Sequence, residues 1–270
     1  MRVGIIGLGL MGGSLALALR EARPELELVG SDSDPATLRE ALRRGMVSEG
    51  DPRDAELVVL AAPIGALPEL LTELAGHPRL VTDVASTKVR VMAWAAAAGI
   101  DLVGGHPMCG SERSGIAAAD AAIFRGAPWV LTRDEPAVAD LVRAVGARPC
   151  FMDAERHDRL VAGVSHAAFL LSAAYVLALS GGGDWEDAGR IAGPGFRDMS
   201  RLAAGSPELY SAIVSTNRDP IVRSLTAVEG SLAKLRRHIE AGDARLVELL
   251  EDAKLARDLW ERETDSAGDG

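Results

Sequence analysis

Met1-Arg-Val-Gly-Ile-Ile-Gly7-Leu-Gly9-Leu10-Met11-Gly12-Gly-Ser-Leu-Ala16 is the stretch that decides the fold. An apolar run, Val3–Ile6, enters Gly-x-Gly-x-x-Gly and then a segment of helix formers. A glycine-rich turn signifies a dinucleotide site only in this strand–turn–helix context. Gly7 permits the tight turn, Gly9 lets the backbone approach a pyrophosphate, and Gly12 allows helix and strand to pack closely. The helix start at Leu10 and Met11 offers free N–H groups and the positive dipole end to phosphate. The second strand ends at Ser31-Asp32, at the spacing where an acidic side chain accepts both ribose hydroxyls of NAD and repels a 2′-phosphate. No Arg follows Asp32 immediately, so NAD is favoured over NADP. Ala62 and Pro63, just past the run Leu57–Ala61, complete the cofactor-binding candidates.

Working outward, the runs Leu26–Val29, Leu57–Ala61, Leu80–Val84, Leu102–Val103 and Trp129–Leu131 alternate with helical segments. One of these opens at Asp34-Pro35, an N-cap followed by a proline at the first helical position, and closes at Gly45. Such alternation implies right-handed βαβ units and a mostly parallel sheet, an α/β Rossmann-type domain over residues 1–152. From Ala154 to Glu263 no strand run is found. Helices are expected over 155–180, 185–192, 197–204, 207–217, 219–241 and 243–262, with Pro194, Gly195, Pro207 and Pro220 as punctuation. An all-α domain over 153–263 follows, with a polar tail at 264–270.

Leu160 to Ser180 carries no charge and is long enough to span a bilayer. Ser165, His166, Ser172, Tyr175 and Ser180 interrupt it, and it stands alone, so a helix buried in a core or a dimer interface is the better reading. A homodimer built on this helical domain is therefore expected. The net charge of −10 with no basic run argues against nucleic acid. Cys109 and Cys150 show neither CxxC spacing nor a His cluster, so neither disulfide nor metal is expected. The N-terminus starts a strand rather than a leader, and the cytoplasm is the expected compartment.

Three further motifs carry chemistry. Thr82-Asp-Val-Ala-Ser86-Thr-Lys88 ends a strand at the edge where parallel sheets bind ligands, so Ser86 either faces a nicotinamide pocket or caps the next helix. Gly104-Gly-His106-Pro-Met-Cys-Gly-Ser111-Glu112-Arg-Ser-Gly115 puts a histidine at a strand terminus, where its pKa suits proton transfer. In Gly193-Pro-Gly-Phe-Arg197-Asp198-Met-Ser-Arg201, the two arginines lie four apart on one face. They form either a solvated basic face or a carboxylate clamp using the bidentate guanidinium fork. Tyr210 and Asn217 follow.

In order and approximate spacing, GLGLMGGSLA, TDVASTK, GGHPMCGSERSG, GVSHAAF and GFRDMSRLA resemble the prephenate/arogenate dehydrogenase family over roughly residues 2–240. The resemblance implies an NAD-dependent oxidative decarboxylation of prephenate to 4-hydroxyphenylpyruvate, for tyrosine biosynthesis. It implies that His106 accepts the proton of the ring hydroxyl, that Ser86 holds the same hydroxyl, and that Arg201 binds a substrate carboxylate. Ser111 and Glu112 then belong at the pocket mouth, Ser165 and His166 in the substrate pocket, and Asp198 and Tyr210 among pocket-lining or cross-subunit groups; Arg197, four residues before Arg201, is a substrate-binding candidate beside it. Phe169 stands where prephenate-specific members have the second His of Ser-His-x-x-His, which leaves arogenate as the alternative substrate. A β-hydroxyacid dehydrogenase would resemble this chain in architecture but uses a Lys on a second-domain helix, and 155–180 has none. A non-catalytic NAD-binding regulator would be favoured by loss of Ser86, His106 or Arg201, and all three are present.

Overall fold

The computed structural model describes residues 1–76, 80–111 and 113–266. Five parallel strands form the main sheet: β1 (Arg2–Ile6), β2 (Glu27–Ser31), β3 (Leu57–Leu60), β4 (Leu80–Asp83) and β5 (Leu102–Val103), in the order β2-β1-β3-β4-β5. β1 is hydrogen-bonded on both sides, with Val3 opposite Leu28 of β2 and Leu57 of β3. The order reverses between β1 and β3, and ligands of such sheets bind in the crevice beyond the carboxyl ends at that point. Val3, Ile5, Leu28, Leu57 and Val59 of these strands are buried with Leu15 and Leu19 of helix α1 (Leu10–Ala22). Each large aliphatic side chain so buried contributes about 1.5–3 kcal/mol.

Helix α2 (Pro35–Arg43) starts as its sequence dictates, Asp34 accepting from the N–H groups of Ala36 (2.9 Å) and Thr37 (3.2 Å). Helices α3 (Leu67–Glu73), α4 (Val89–Ala97) and α5 (Pro136–Ala144) complete the α/β layers. The expected mostly parallel sheet holds for these five strands, but a second sheet stands beside it. This contains β6 (Gly105–Pro107), β7 (Pro128–Leu131) and β8 (Arg148–Phe151); β6 runs antiparallel to β7, with His106 opposite Val130, and β8 runs parallel to it. Neither β6, Gly-His-Pro, nor β8, which contains Pro149, carries the apolar run that marks a strand in sequence.

The remaining described chain is helical. The segment expected as one helix over 155–180 is α6 (Ala154–Val161), a π-helical turn (Ala162–Ala167) and α7 (Ala168–Ser180). Length and composition alone would let Ala154–Ser180 cross a membrane. Its residues His157, Asp158, Val161, Ala162 and His166 are nevertheless buried in the protein. Helices α8 (Trp185–Ile191), α9 (Pro194–Ser200) and α10 (Pro207–Thr216) follow, with a 3-10 turn at Arg201–Ala204.

The chain divides into two compact units, Met1–Ile221 and Val222–Gly270. The first therefore includes helices beyond residue 152, because α6 packs on α4 through Asp158. The second holds most of α11 (Arg218–Ala241) and all of α12 (Arg245–Ser266). Helix α12 runs into the segment expected as a polar tail, since its helix-forming Glu/Arg/Leu composition continues to Glu263.

Candidate active site

Two groups of residues lie beyond the carboxyl ends of the main sheet. The first is the glycine turn. Gly7 has φ +94°, which an L side chain adopts only with strain, and a Cβ there would sit 2.7 Å from the main chain of Ala61. A Cβ on Gly12 would lie 1.9 Å from the Gly7 carbonyl oxygen. Gly9 differs, with no atom within 4 Å of its Cβ position. Helix α1 begins directly after it without a side-chain cap, so the first-turn amides of Leu10 and Met11 keep their donors for another partner. Asp32 is fixed at the end of β2: Oδ2 accepts from Leu8 N (2.7 Å) and Oδ1 from Asp34 N (2.9 Å). Its carboxylate thus ties the turn to the strand end while keeping further acceptor capacity. Ala62 lies beside Gly7, and Pro63 is exposed just beyond it.

The second group is a buried set of imidazoles and carboxylates. Asp83 ends β4 and accepts from Ala85 N (2.9 Å), Gly105 N (3.0 Å) and the ammonium of Lys88. Lys88 is fully buried and also donates to the Gly105 carbonyl (2.5 Å). Burial pushes its pKa down, while Asp83 and Asp158 hold it up. This ion pair bridges β4 to β6 and pins the strand that presents His106. His106 Nδ1 lies 2.8 Å from His157 Nε2, and His157 Nδ1 lies 2.8 Å from Asp158 Oδ1. Asp158 in turn caps α4, accepting from Lys88 N (2.7 Å) and Val89 N (2.9 Å). Burial holds His106 well below the ordinary imidazole range, and the nearby His157, Lys88 and His166 push in the same direction. His106 is therefore neutral near pH 7, able to accept a proton.

His166 comes from the π-helical turn, a rare backbone form frequent at functional sites. Asn217 Nδ2 donates to the Asp158 carbonyl (2.8 Å) and lies 3.2 Å from His166 Nδ1. With the amide so oriented, His166 Nδ1 is an acceptor and its proton sits on Nε2. That Nε2 is buried without a hydrogen bond of good geometry, although the main chain of Ser86 is near enough to raise the ring's pKa. Burial outweighs that influence and lowers the pKa to about 4, so this ring too is neutral.

Of the residues singled out in the sequence, His106, His166 and Ser86 therefore share one neighbourhood. Ser86 and Ser165 are half-buried. Ser111 is exposed and accepts from Arg113 N (3.1 Å), and Glu112 lies outside the described residues. Tyr210 stacks on Phe169, ring centroids 3.3 Å apart and planes at 7°. Arg197, Asp198 and Arg201 are exposed, and among the described residues no hydrogen bond or ion pair joins them to the imidazoles. Their turn is tied to α7 instead, since Ser172 Oγ donates to Met199 O (2.7 Å) and accepts from Ala203 N (3.0 Å). Sequence reading missed Asp83, Lys88, His157, Asp158 and Asn217 as site residues. The available signal was the pair His157-Asp158 on the same helical face as Val161, polar residues where a core stripe should continue.

Comparisons with known proteins agree over most of the chain. A family model described as the nucleotide-binding domain of prephenate dehydrogenase matches residues 15–148, and one described as its dimerization domain matches 153–252. A prephenate dehydrogenase of Bacillus subtilis is 32% identical over 94% of this chain and 74% of its own length. A crystal structure of Synechocystis arogenate dehydrogenase is 31% identical, covering 96% of this chain and 100% of the other, with TM-score 0.83. A prephenate dehydrogenase from A. aeolicus in complex with hydroxyphenyl propionate and NAD+ is 28% identical, covering 95% and 97%, with TM-score 0.88.

Proposed function

We propose, since the chain belongs to the prephenate dehydrogenase family, that it is an NAD-dependent enzyme converting prephenate to 4-hydroxyphenylpyruvate. The observation that carries the reading is a neutral, buried His106 whose Nδ1 is already hydrogen-bonded, leaving Nε2 for a substrate hydroxyl. The residues present fit NAD. Open space over Gly9, unpaired first-turn amides of α1 and the Asp32 carboxylate suit a pyrophosphate and a ribose. When bound, NAD supplies the acceptor for a hydride from C4 of the substrate ring.

The chain's own residues do the rest. His106 Nε2 takes the proton of the C4 hydroxyl as the C4–H bond breaks. His166 Nε2–H and Ser86 are the groups available to hold the same oxygen while it gains carbonyl character. Arg201 is assigned to the ring carboxylate, which leaves as CO₂ when its bonding pair enters the ring and makes it aromatic. Ser111, Glu112, Ser165, Arg197, Asp198 and Tyr210 are assigned to the substrate pocket and its mouth. Aromatisation makes the overall step downhill, so catalysis is mainly orientation of the substrate.

Arogenate is the second reading. Phe169 packs against Tyr210 in place of a hydrogen-bonding imidazole, at the end of the substrate where prephenate and arogenate differ. Absorbance at 340 nm with NAD and each substrate in parallel tests both readings. Turnover of neither would overturn the proposal, as would His106→Asn retaining near wild-type rate where a loss of about 10²–10⁴ is expected.

A homodimer through the helical half and a cytoplasmic location complete the proposal. Val164, Leu177, Ile191 and Met199 are exposed apolar side chains there, and Cys109 and Cys150 are free thiols suited to a reducing compartment. Light scattering that returns a monomer would refute the first of these.

A further inference from the structure

We infer that His157 and Asp158 are positioning residues that lock His106 in the one neutral tautomer able to act as base; this rests on the assignment of His106 above. Two main-chain N–H groups at the start of α4 point at the two oxygens of Asp158, from Lys88 (2.7 Å) and Val89 (2.9 Å). With an N–H aimed at each of its oxygens, the Asp158 carboxylate serves here as an acceptor. His157 Nδ1, 2.8 Å from Asp158 Oδ1, must then be the donor. In a neutral His157 the lone pair is on Nε2, and its hydrogen-bond partner among the described residues is His106 Nδ1, 2.8 Å away. His106 Nδ1 is therefore the donor, and the lone pair of His106 lies on Nε2.

The alternative arrangement leaves no base. A doubly protonated His157 would force His106 to accept at Nδ1 and carry its hydrogen at Nε2, useless for removing a proton. The two imidazoles meet edge to face, centroids 5.0 Å apart at 73°, so the Nδ1–H of one points into the ring plane of the other. This leaves His106 no low-cost ring flip, since turning it over would present a C–H to His157 Nε2 and lose a buried hydrogen bond.

The chemical step then balances. The substrate O–H bond breaks and its proton forms N–H at His106 Nε2. The C4–H bonding pair goes to the nicotinamide. The resulting imidazolium keeps its Nδ1–H bond to His157, whose own Nδ1–H bond to Asp158 places a negative charge one ring away. His157 and Asp158 touch neither substrate nor cofactor in this scheme. Their work is to choose the tautomer before the proton arrives and to stabilise the cation after it.

The test reads the tautomer directly. Full-length protein labelled with ¹⁵N-histidine, without substrate or cofactor, is recorded by long-range ¹H–¹⁵N correlation near pH 7.5, with His106→Asn to assign the signals. The expected pattern for His106 is a protonated Nδ1 and an unprotonated Nε2. His157→Phe should release the ring to the Nε2–H form and lower kcat by about 10²–10³-fold. KM for NAD should stay within about twofold, on the view that only the transition state loses an interaction. His157→Gln, which keeps an acceptor, should retain the wild-type tautomer and a higher rate than His157→Phe. A wild-type His106 carrying its hydrogen on Nε2, or on both nitrogens, overturns the inference whether or not either variant folds. So does His157→Phe with wild-type turnover. Because the spectrum needs no substrate, the expected tautomer in a protein that turns over neither prephenate nor arogenate would refute the proposed activity and leave the lock standing.

Discussion

Gly9 and Gly12 stand three residues apart in the same turn, yet an added methyl should do opposite things at the two positions. At Gly12 the new Cβ would be 1.9 Å from the Gly7 carbonyl oxygen and 3.0 Å from Ala61 Cβ. The nearer partner is main chain, so the turn or α1 must move by more than 1 Å, on the order of the gap between that approach and ordinary contact. Against main chain at 1.9 Å, overpacking sits at the upper end of the usual range, about 3 kcal/mol, which leaves a net loss of about 2 kcal/mol after the roughly 1 kcal/mol that Ala gains over Gly in a helix. At Gly9 nothing lies within 4 Å and φ is −67°, so Ala fits without strain. The weaker N-cap and the stiffer unfolded chain each change stability by about 1 kcal/mol or less, in opposite senses. Gly9→Ala should therefore melt within a few degrees of wild type but bind NAD at least about tenfold more weakly, 1.4 kcal/mol or more. Gly12→Ala should lose both stability and NAD affinity. Thermal melts and calorimetric titration with NAD read the two effects separately. Wild-type NAD affinity in Gly9→Ala would refute the reasoning about the open side of the turn, and a Gly12→Ala protein with unchanged Tm would refute the packing argument.

Other outcomes follow from the buried charges and rings. Asp83→Asn leaves the Lys88 ammonium buried without its carboxylate partner and should destabilise the fold by about 3–5 kcal/mol, whereas the double variant with Lys88→Met should recover most of this; additive losses in a denaturant cycle would contradict the pairing. His166, with a folded pKa of about 4 against 6.5 for the free ring, binds its proton more readily when unfolded. The stability from its neutral form is complete above about pH 6.5 and drains away as pH falls toward 4, by roughly 3 kcal/mol at most, with His106 adding in the same direction. His166→Asn should flatten the urea midpoint across that window, and an unaltered slope would show that the ring is not held neutral. Phe169→His should raise the preference for prephenate over arogenate by on the order of tenfold, about 1.4 kcal/mol, measured as a ratio of kcat/KM values; an unchanged ratio would remove residue 169 from the substrate's side chain.

Much of this molecule is legible residue by residue. The Gly7–Gly12 turn, the acid at position 32, the capped start of α2 and the switch from β/α alternation to helices after residue 152 are short-range features, written within one or two turns of chain. They depend on steric freedom at φ > 0, on capping and on periodicity, which neighbouring residues alone determine. The order of the motifs added the family and its candidate histidine.

Tertiary structure decided the rest, because the interactions concerned join segments far apart in sequence. His106 and His157 are separated by 51 positions and become partners only once β6 has paired with β7 and α6 has packed on α4. Lys88, in isolation a solvated cation, is fully buried because Asp83 and the Gly105 carbonyl surround its ammonium. The break of a long apolar helix into a π-helical turn at His166, and the stacking of Phe169 on Tyr210, likewise have no local signature. Local rules name which side chains are chemically capable. Which nitrogen of an imidazole holds its proton is set by the group placed against the other nitrogen, and only the folded chain supplies that group.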